Sequence, residues 1–203
     1  DNAELAAGAL TATASLGDLS VKDAVITATK DGVTLTAEAA DIDASSAKLT
    51  VKDELTLTAQ QSITATDANV TSNSLTMTAN TGSVEASRLT ATVADQASVE
   101  AGNSVTLDSS KLGLGALTAS AKSSDLSLTS AEIEVSGAAE LTAQDTITAT
   151  DANVTSDSLT MTAETGSVEA SDFMATVAGQ ALVEAGDSVT LDSSKLGLGA
   201  LTA

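Results

Sequence analysis

A spacing of 21 residues governs this amino-acid sequence. At this interval a large aliphatic residue recurs through eight successive repeats: Ile42, Ile63, Val84, Val105, Leu126, Ile147, Val168 and Val189. A second series at the same interval contains Leu49, Val70, Ala91, Leu112, Ile133, Val154, Ala175 and Leu196. A repeat this short cannot bury its own apolar residues, so stacked neighbouring repeats must supply the core.

Each repeat also shows a period of two residues. Aliphatic and hydroxyl side chains alternate in segments such as 55–59 and 75–79, and short polar segments such as 60–62 and 67–69 separate three such runs. Strict alternation predicts strands, and Thr, Val and Ile favour a pleated surface. We therefore predict an all-β parallel β-helix with three short strands per coil. Left-handed β-helices prefer coils near ~18 residues, so the longer period favours a right-handed coil.

Alanines close the first strand of each coil at two alternating intervals. The series Ala37, Ala59, Ala79, Ala101, Ala121, Ala143, Ala163 and Ala185 is spaced by 22 and 20 residues in turn. The segment 79–84 holds one residue more than the segment 59–63. A corner can absorb this residue without turning the strand faces inside out. We predict coils of 20 and 22 residues that alternate at one corner, and about nine coils should give a rod about 43 Å long.

The chain also contains a long internal duplication. Residues 57–119 recur as residues 141–203 with ten differences, at an offset of 84 residues or four repeats. We predict a single solenoid over residues 1–203. No capping segment is visible at either end of the sequence, so we expect a segment of a longer array. Its expected partners are neighbouring coils of the same parent chain, with end-to-end self-association as a further partner.

Composition argues against most catalytic sites. The chain has no His and no Cys, which excludes Ser-His and Cys-His nucleophiles and thiolate metal sites. Glycoside hydrolysis needs paired carboxylates in a cleft, and no long insertion is available to wall one. We expect no enzyme, no catalytic residues, no cofactor and no metal site. Weak Ca²⁺ binding at acidic corners stays open, although the Gly-Gly-x-Gly-x-Asp calcium repeat is absent.

Charge restricts the partners further. The chain has 28 acidic and 8 basic residues, for a net charge of −20. Such a surface repels phosphate backbones and anionic membranes. There is also no apolar run of about 18 residues that could span a membrane. We expect neither nucleic-acid binding nor membrane insertion.

The repeats resemble those of a known family. Residues 55–65 and 74–80 are similar to the repeats of filamentous haemagglutinin-type exoproteins of two-partner secretion systems. The resemblance implies a right-handed β-helix on a bacterial surface that acts in adhesion or competition. It therefore implies a non-catalytic structural shaft of an extracellular or cell-surface adhesin, whose receptor the sequence does not name. Two features depart from the family: Ser, Asn, Asp and Ala replace most corner glycines, and the amino-terminal secretion domain is absent.

Two other functions stay open. Flat Thr-x-Thr arrays on solenoids can order water, so an ice-binding or surface-binding face is one alternative. The candidate array consists of Thr34, Thr36, Thr56, Thr58, Thr76, Thr78, Thr160 and Thr162. It is interrupted at Ser98 and Glu100, and Thr is in any case a favourable exposed strand residue. The other alternative is a self-stacking subunit of an extracellular filament.

Two Asn-x-Thr motifs lie at equivalent positions of the duplication. They are residues 69–71 and 153–155, and they match the acceptor pattern for N-glycosylation. Their central valines belong to the second buried series, which accounts for the motif in structural terms alone.

Overall fold

Stacked coils of short parallel strands account for residues 3–202, the part of the chain that the computed structural model describes. Side chains are described for residues 3–197. Residues 1, 2 and 203 of the predicted solenoid lie outside this part. Within it there are strands, turns and bends but no helix. The prediction of an all-β parallel solenoid with coils of about 21 residues is confirmed.

Each coil contributes up to three strands, which we call first, second and third. The second strands are Leu19–Ser20, Ile42–Asp43, Ile63–Thr64, Val84–Ser87, Val105–Asp108, Leu126–Thr129, Ile147–Thr150, Val168–Ser171 and Val189–Asp192. The separate third strands are Glu4–Ala7, Val25–Ala28, Lys48–Val51, Asn69–Ser72, Glu132–Val135 and Asn153–Ser156. The separate first strands are Leu10–Ala14, Val33–Ala37, Glu54–Ala59, Ser74–Ala79, Ala138–Ala143 and Ser158–Ala163.

The corner between a third strand and the next first strand is less sharp than the sequence indicated. At four places the two strands are continuous: Thr90–Ala101, Lys111–Ala121, Met174–Ala185 and Lys195–Thr202. The second strands consequently form a nine-stranded sheet, whereas the first and third strands share a 16-stranded sheet. Three kinds of strand therefore form two sheets.

Strand register confirms the three apolar series. Val105 pairs with Val84 on one side and Leu126 on the other, and neither neighbour is accessible to solvent. The second series aligns in the same way, as Val70 does with Leu49. The alanines align despite their unequal intervals, as Ala79 does with Ala59 and Ala101. One apolar core consequently runs from Ala24 to Ala181.

One extra residue is placed in turn after a first strand, at the corner, and before the next first strand. The long corner after Ala79 was visible in the sequence. The compensating residue was not: the strand Thr90–Ala101 contains a bulge between Val93 and Gln96, opposite a partner strand that is one residue shorter there. A bulge places two residues opposite one without reversing the strand faces. The coil therefore keeps its 21-residue period in the second and third strands.

The corner between the first and second strands is closed by hydrogen bonds from coil to coil. At five of these corners the side chain of the residue before the second strand accepts a backbone N–H of the next coil. The Asp41 carboxylate accepts the Ser62 N–H at 2.6 Å, and the Asp125 carboxylate accepts the Thr146 N–H at 2.9 Å. The Ser62 hydroxyl accepts the Ser83 N–H at 3.2 Å. These bonds satisfy amides that the strands leave unpaired.

A left-handed residue marks the corner between the second and third strands in every coil. These residues have φ angles between 49° and 57° and none is glycine: Asp23, Ser46, Asp67, Arg88, Ser109, Ser130, Asp151, Asp172 and Ser193. The next residue in the chain, such as Ala68 or Phe173, points into the core. A left-handed backbone costs roughly 1–2 kcal/mol for a residue with a Cβ atom, so each coil retains strain at this corner.

Replacing Ser130 by Gly should relieve this strain. Its φ is 52°, which glycine adopts without steric cost, although glycine loses more backbone entropy on folding. We expect the free energy of unfolding to rise by about 0.5–1 kcal/mol, measured by chemical denaturation. The control is Thr129→Gly in the adjacent strand, which should lower stability by a similar amount. A loss of stability in both variants would contradict the assigned strain.

Two hydroxyl groups in the core lack a hydrogen-bond partner. Ser72 and Ser156 occupy equivalent inward positions of the duplication, are 5% and 4% exposed, and pair in register with Val93 and Val177. Neither Oγ atom makes a hydrogen bond in the described part of the chain. A buried hydroxyl without a partner costs about 1–3 kcal/mol. These two positions are therefore local weak points of the core.

Removing these hydroxyls should stabilise the protein. We expect Ser72→Ala and Ser156→Ala each to raise the free energy of unfolding by about 1 kcal/mol. Ser110 is the matched control, because it is equally buried but donates a hydrogen bond to the Ala86 carbonyl at 2.7 Å. Ser110→Ala should lower stability by about 1 kcal/mol. Chemical denaturation of the three variants measures the difference, and a loss at Ser72 equal to that at Ser110 would contradict it.

Candidate functional site

The outward side chains of the first strands form a surface that we call the first face. Its two columns run along the rod, and each residue pairs in register with its equivalent in the next coil. In one column Thr34 pairs with Thr56, which pairs with Thr76. In the other, Thr36 pairs with Thr58 and Thr58 with Thr78. The structure thus brings six of the eight predicted threonines together.

The threonine field covers four coils. Thr11 and Thr13 pair with Thr34 and Thr36 and extend it by one coil. Spacings of about 4.8 Å between coils and about 6.8 Å along each strand make the field a regular lattice of hydroxyl and methyl groups. The six threonines from Thr34 to Thr78 are half-buried because neighbouring side chains cover one another, whereas Thr11 and Thr13 are exposed. The first face therefore offers a regular polar surface between Thr11 and Thr78.

Thr160 and Thr162 lie apart from this field. Three coils separate them from Thr76 and Thr78, and those coils carry Glu100 and Glu140 on the same face. Three intervening coils, each about 4.8 Å thick, prevent contact between this pair and the threonine field. The predicted array is thus one field of six threonines and one isolated pair.

The first interruption of the field is an ion pair. Glu100 follows Thr78 in its column, and its carboxylate contacts the ammonium group of Lys122. Lys122 lies directly after a first strand, at the corner. An exposed pair of this kind contributes little to stability. Its effect on the first face is to end the threonine pattern, because a charged side chain follows Thr78 in the column.

A groove borders the threonine field on the side of the third strands. It has a volume of about 370 Å³ and is lined by Glu54, Ser74, Leu75, Thr76, Gln96 and Ser98. The Thr56 hydroxyl donates a hydrogen bond to the Glu54 carboxylate at 3.0 Å. One hydroxyl of the field is consequently held toward the groove and away from a ligand above the face.

Carboxylates are spaced apart on the outward side of the second strands. Asp43 pairs with Thr64, and Glu85 pairs with Thr64 and Thr106. This spacing avoids like charges directly opposite each other. Burial alone would raise the pKa of Asp43, but hydrogen bonds from Ser45 and the charge of Lys22 together hold that pKa below its usual range. The stability that Asp43 adds is present above pH ~4 and is lost as the pH falls further.

The two copies of the duplication differ in charge at one corner, where Arg88 in the first copy is replaced by Asp172 in the second. Arg88 donates two hydrogen bonds to the Asp67 carboxylate, at 2.6 and 2.8 Å. These bonds hold the pKa of Asp67 below its usual range and raise that of Arg88. The equivalent residues are Asp151 and Asp172, so here two carboxylates occupy neighbouring coils. Within the described residues, no group of three or more acidic side chains is placed to hold a metal ion.

Comparison with known proteins yields no relative. No protein-family model, no curated protein and no solved structure matches this chain. No helix in the described part is long and apolar enough to cross a membrane.

Proposed function

We propose that this chain is the structural shaft of an extracellular bacterial adhesin or surface fibre, without catalytic activity. The observation that carries the proposal is the uniformity of the coils. The left-handed corner recurs every 21 residues from Ser46 to Ser193, and no loop projects between the described strands. Such a solenoid gains length by adding coils, since each repeat contacts only its neighbours.

The resemblance of the repeats to filamentous haemagglutinin-type exoproteins supports the same proposal. It suggests display at the cell surface, with binding elements elsewhere in the parent protein. The net charge of −20 makes neighbouring rods repel one another. A passive spacer needs these properties: fixed length, a continuous core and a surface that resists association.

Removing four coils tests whether length is the property that matters. Deletion of residues 57–140 joins two equivalent positions of the duplication and preserves every register. On a cell surface, with a reporter binding domain attached at the far end, we expect the deleted chain to fold and reach about 19 Å less far. Small-angle scattering measures the length, and capture of large beads measures the reach. Specific binding of matrix proteins or host cells by the chain itself would overturn the passive role.

The threonine field favours a second candidate, an ice-binding or surface-binding face. If it works in this way, Thr76→Leu with Thr78→Leu should reduce thermal hysteresis, while Glu100→Thr with Glu184→Thr should raise it. We expect no hysteresis from the unmodified protein, because the ion pair of Glu100 and Lys122 interrupts the lattice. Clear hysteresis from the unmodified chain would place ice binding first.

A third candidate is end-to-end self-association into a filament. Among the described residues the second strand Val189–Asp192 pairs with Val168–Ser171, and Val189 and Leu191 are 46% and 45% exposed. A further coil, whether of the same parent chain or of a second copy, would cover them and add a strand to the sheet. Light scattering over a hundredfold range of concentration tests this candidate. A constant monomeric mass would exclude it.

A further inference from the structure

We propose that Asn69 and Asn153 are acceptors for N-linked glycans. Each lies in the same five-residue segment, Asp-Ala-Asn-Val-Thr, at residues 67–71 and 151–155. The chain has six asparagines, and only these two are followed by a Thr or Ser at the second position. An Asn-x-Thr segment on an accessible surface is the acceptor pattern for attachment of a saccharide to the amide nitrogen.

The fold presents the three polar residues of each segment to solvent. In the first, Asp67 forms the left-handed corner, and Asn69 and Thr71 point outward from the third strand. Ala68 and Val70 point into the core and are 2% and 4% exposed. The second segment repeats this arrangement. Because side chains two apart share one strand face, the amide and the hydroxyl that define the motif lie side by side.

The hydrogen bonding of the acceptor side chains favours modification. Among the described residues, neither Asn69 nor Asn153 makes a side-chain hydrogen bond. Two corner asparagines differ in this respect: Asn80 donates to the Gln60 side chain at 3.4 Å, and Asn103 donates to the Ser83 hydroxyl at 3.3 Å. Modification at positions 69 and 153 therefore breaks no bond of the folded solenoid.

The surroundings also accommodate a saccharide. Asn69 pairs in register with Lys48 and Thr90, and Asn153 pairs with Glu132 and Met174. All four neighbours are exposed. Four coils separate the acceptors, so two glycans would lie about 19 Å apart along one side of the rod. They would cover the outward side of the third strands and leave the threonine field of the first face open.

The chemistry is a glycosyl transfer from a glycosyl diphosphate. The amide Nδ2 bonds to the anomeric carbon of the sugar, and the bond from that carbon to the diphosphate oxygen breaks. The diphosphate leaves with the electron pair, and the amide loses one proton to a base. The reaction leaves the backbone of the acceptors unchanged, so the N–H groups of Asn69 and Asn153 keep their bonds to the carbonyls of Ala47 and Ala131 at 2.8 Å. The donor is either a lipid diphosphate-linked oligosaccharide or a nucleotide sugar.

Two bacterial hosts distinguish these donors. One exports the full chain to a compartment with a lipid-linked oligosaccharide transferase, and the other retains it with a transferase that uses a nucleotide hexose. In each host a reporter protein with a known acceptor site shows that the transferase is active. Intact mass spectrometry measures the product. We expect two saccharide masses per chain in at least one host, one mass in Asn69→Gln or Asn153→Gln, and none in the double variant.

Two further pairs of variants sharpen the result. Thr71→Ala with Thr155→Ala keeps both asparagines and should abolish the modification. Asp67→Ala with Asp151→Ala should abolish it only if the lipid-linked transferase reads the carboxylate. Circular dichroism should show an unchanged β-sheet spectrum in every variant. An unmodified chain beside a modified reporter in both hosts would overturn the proposal, as would saccharide that persists on the double Asn variant.

Discussion

Replacing Val105 by Asp should destabilise the solenoid by several kcal/mol. Val105 is inaccessible to solvent and lies in a column between Val84 and Leu126. A carboxylate there is surrounded by aliphatic side chains and has no cation or hydrogen-bond donor, so it must either remain charged without a partner or take up a proton. The whole folding free energy of a domain is typically about 5–15 kcal/mol. We therefore expect a large loss of stability in chemical denaturation and partial unfolding at 37 °C.

The neighbouring residue is the matched control. Thr106 is the next residue in the same strand but points outward, between Glu85 and Ser127. Thr106→Asp adds the same charge at a half-buried surface position next to one carboxylate. We expect a cost of about 1 kcal/mol or less. Equal losses in the two variants would show that the inward and outward faces of the second strands are wrongly assigned.

The register of the strands could be predicted because each coil repeats one pattern. A residue such as Val105 has the same environment as its equivalents 21 residues before and after it. The signal is therefore repeated along the chain, and a shift of one residue would expose every member of the series. The inward columns and the outward pairs of the first face are therefore both predictable from the sequence.

Backbone conformation at the corners was not predictable in the same way. Glycine is the usual signal for a left-handed residue, but these corners use residues as different as Asp67, Arg88 and Ser130. The bulge after Val93 was hidden because its extra residue compensates for one at another corner. Such features depend on the fit between coils, which a spacing pattern does not contain.

The candidate surface was predicted in part. Alternation placed Thr34, Thr56 and Thr76 in one column, and the structure aligns them. The pairing of Glu100 with Lys122 was missed, because Lys122 lies at a corner whose length alternates between coils. The unpartnered hydroxyl of Ser72 was predictable, because the alternation of the third strand places this polar residue at an inward position.

The glycine at position 115 should be among the least replaceable residues of the chain. It lies opposite the bulge, where Ala94 and Asp95 of the preceding coil face a single residue. A Cβ atom on Gly115 would lie 2.1 Å from the Asp95 carbonyl oxygen and 2.4 Å from that of Ala94. Both oxygens belong to the backbone, so the strand itself would have to move. We expect Gly115→Ala to lower the free energy of unfolding by about 3 kcal/mol, measured by chemical denaturation.

Gly113 provides the control two residues away on the same strand. It points outward between Thr92 and Glu134, and a Cβ atom there meets nothing within 4 Å. Replacing a glycine at an unstrained position lowers the entropy of the unfolded chain, which stabilises the protein by about 0.4–1 kcal/mol. Gly113→Ala should therefore leave stability unchanged or raise it slightly. Equal losses of stability in the two variants would show that the close approach of the bulge to Gly115 is not the cause of the loss. If only Gly115→Ala is costly, the alternation of long and short corners depends on this contact between coils.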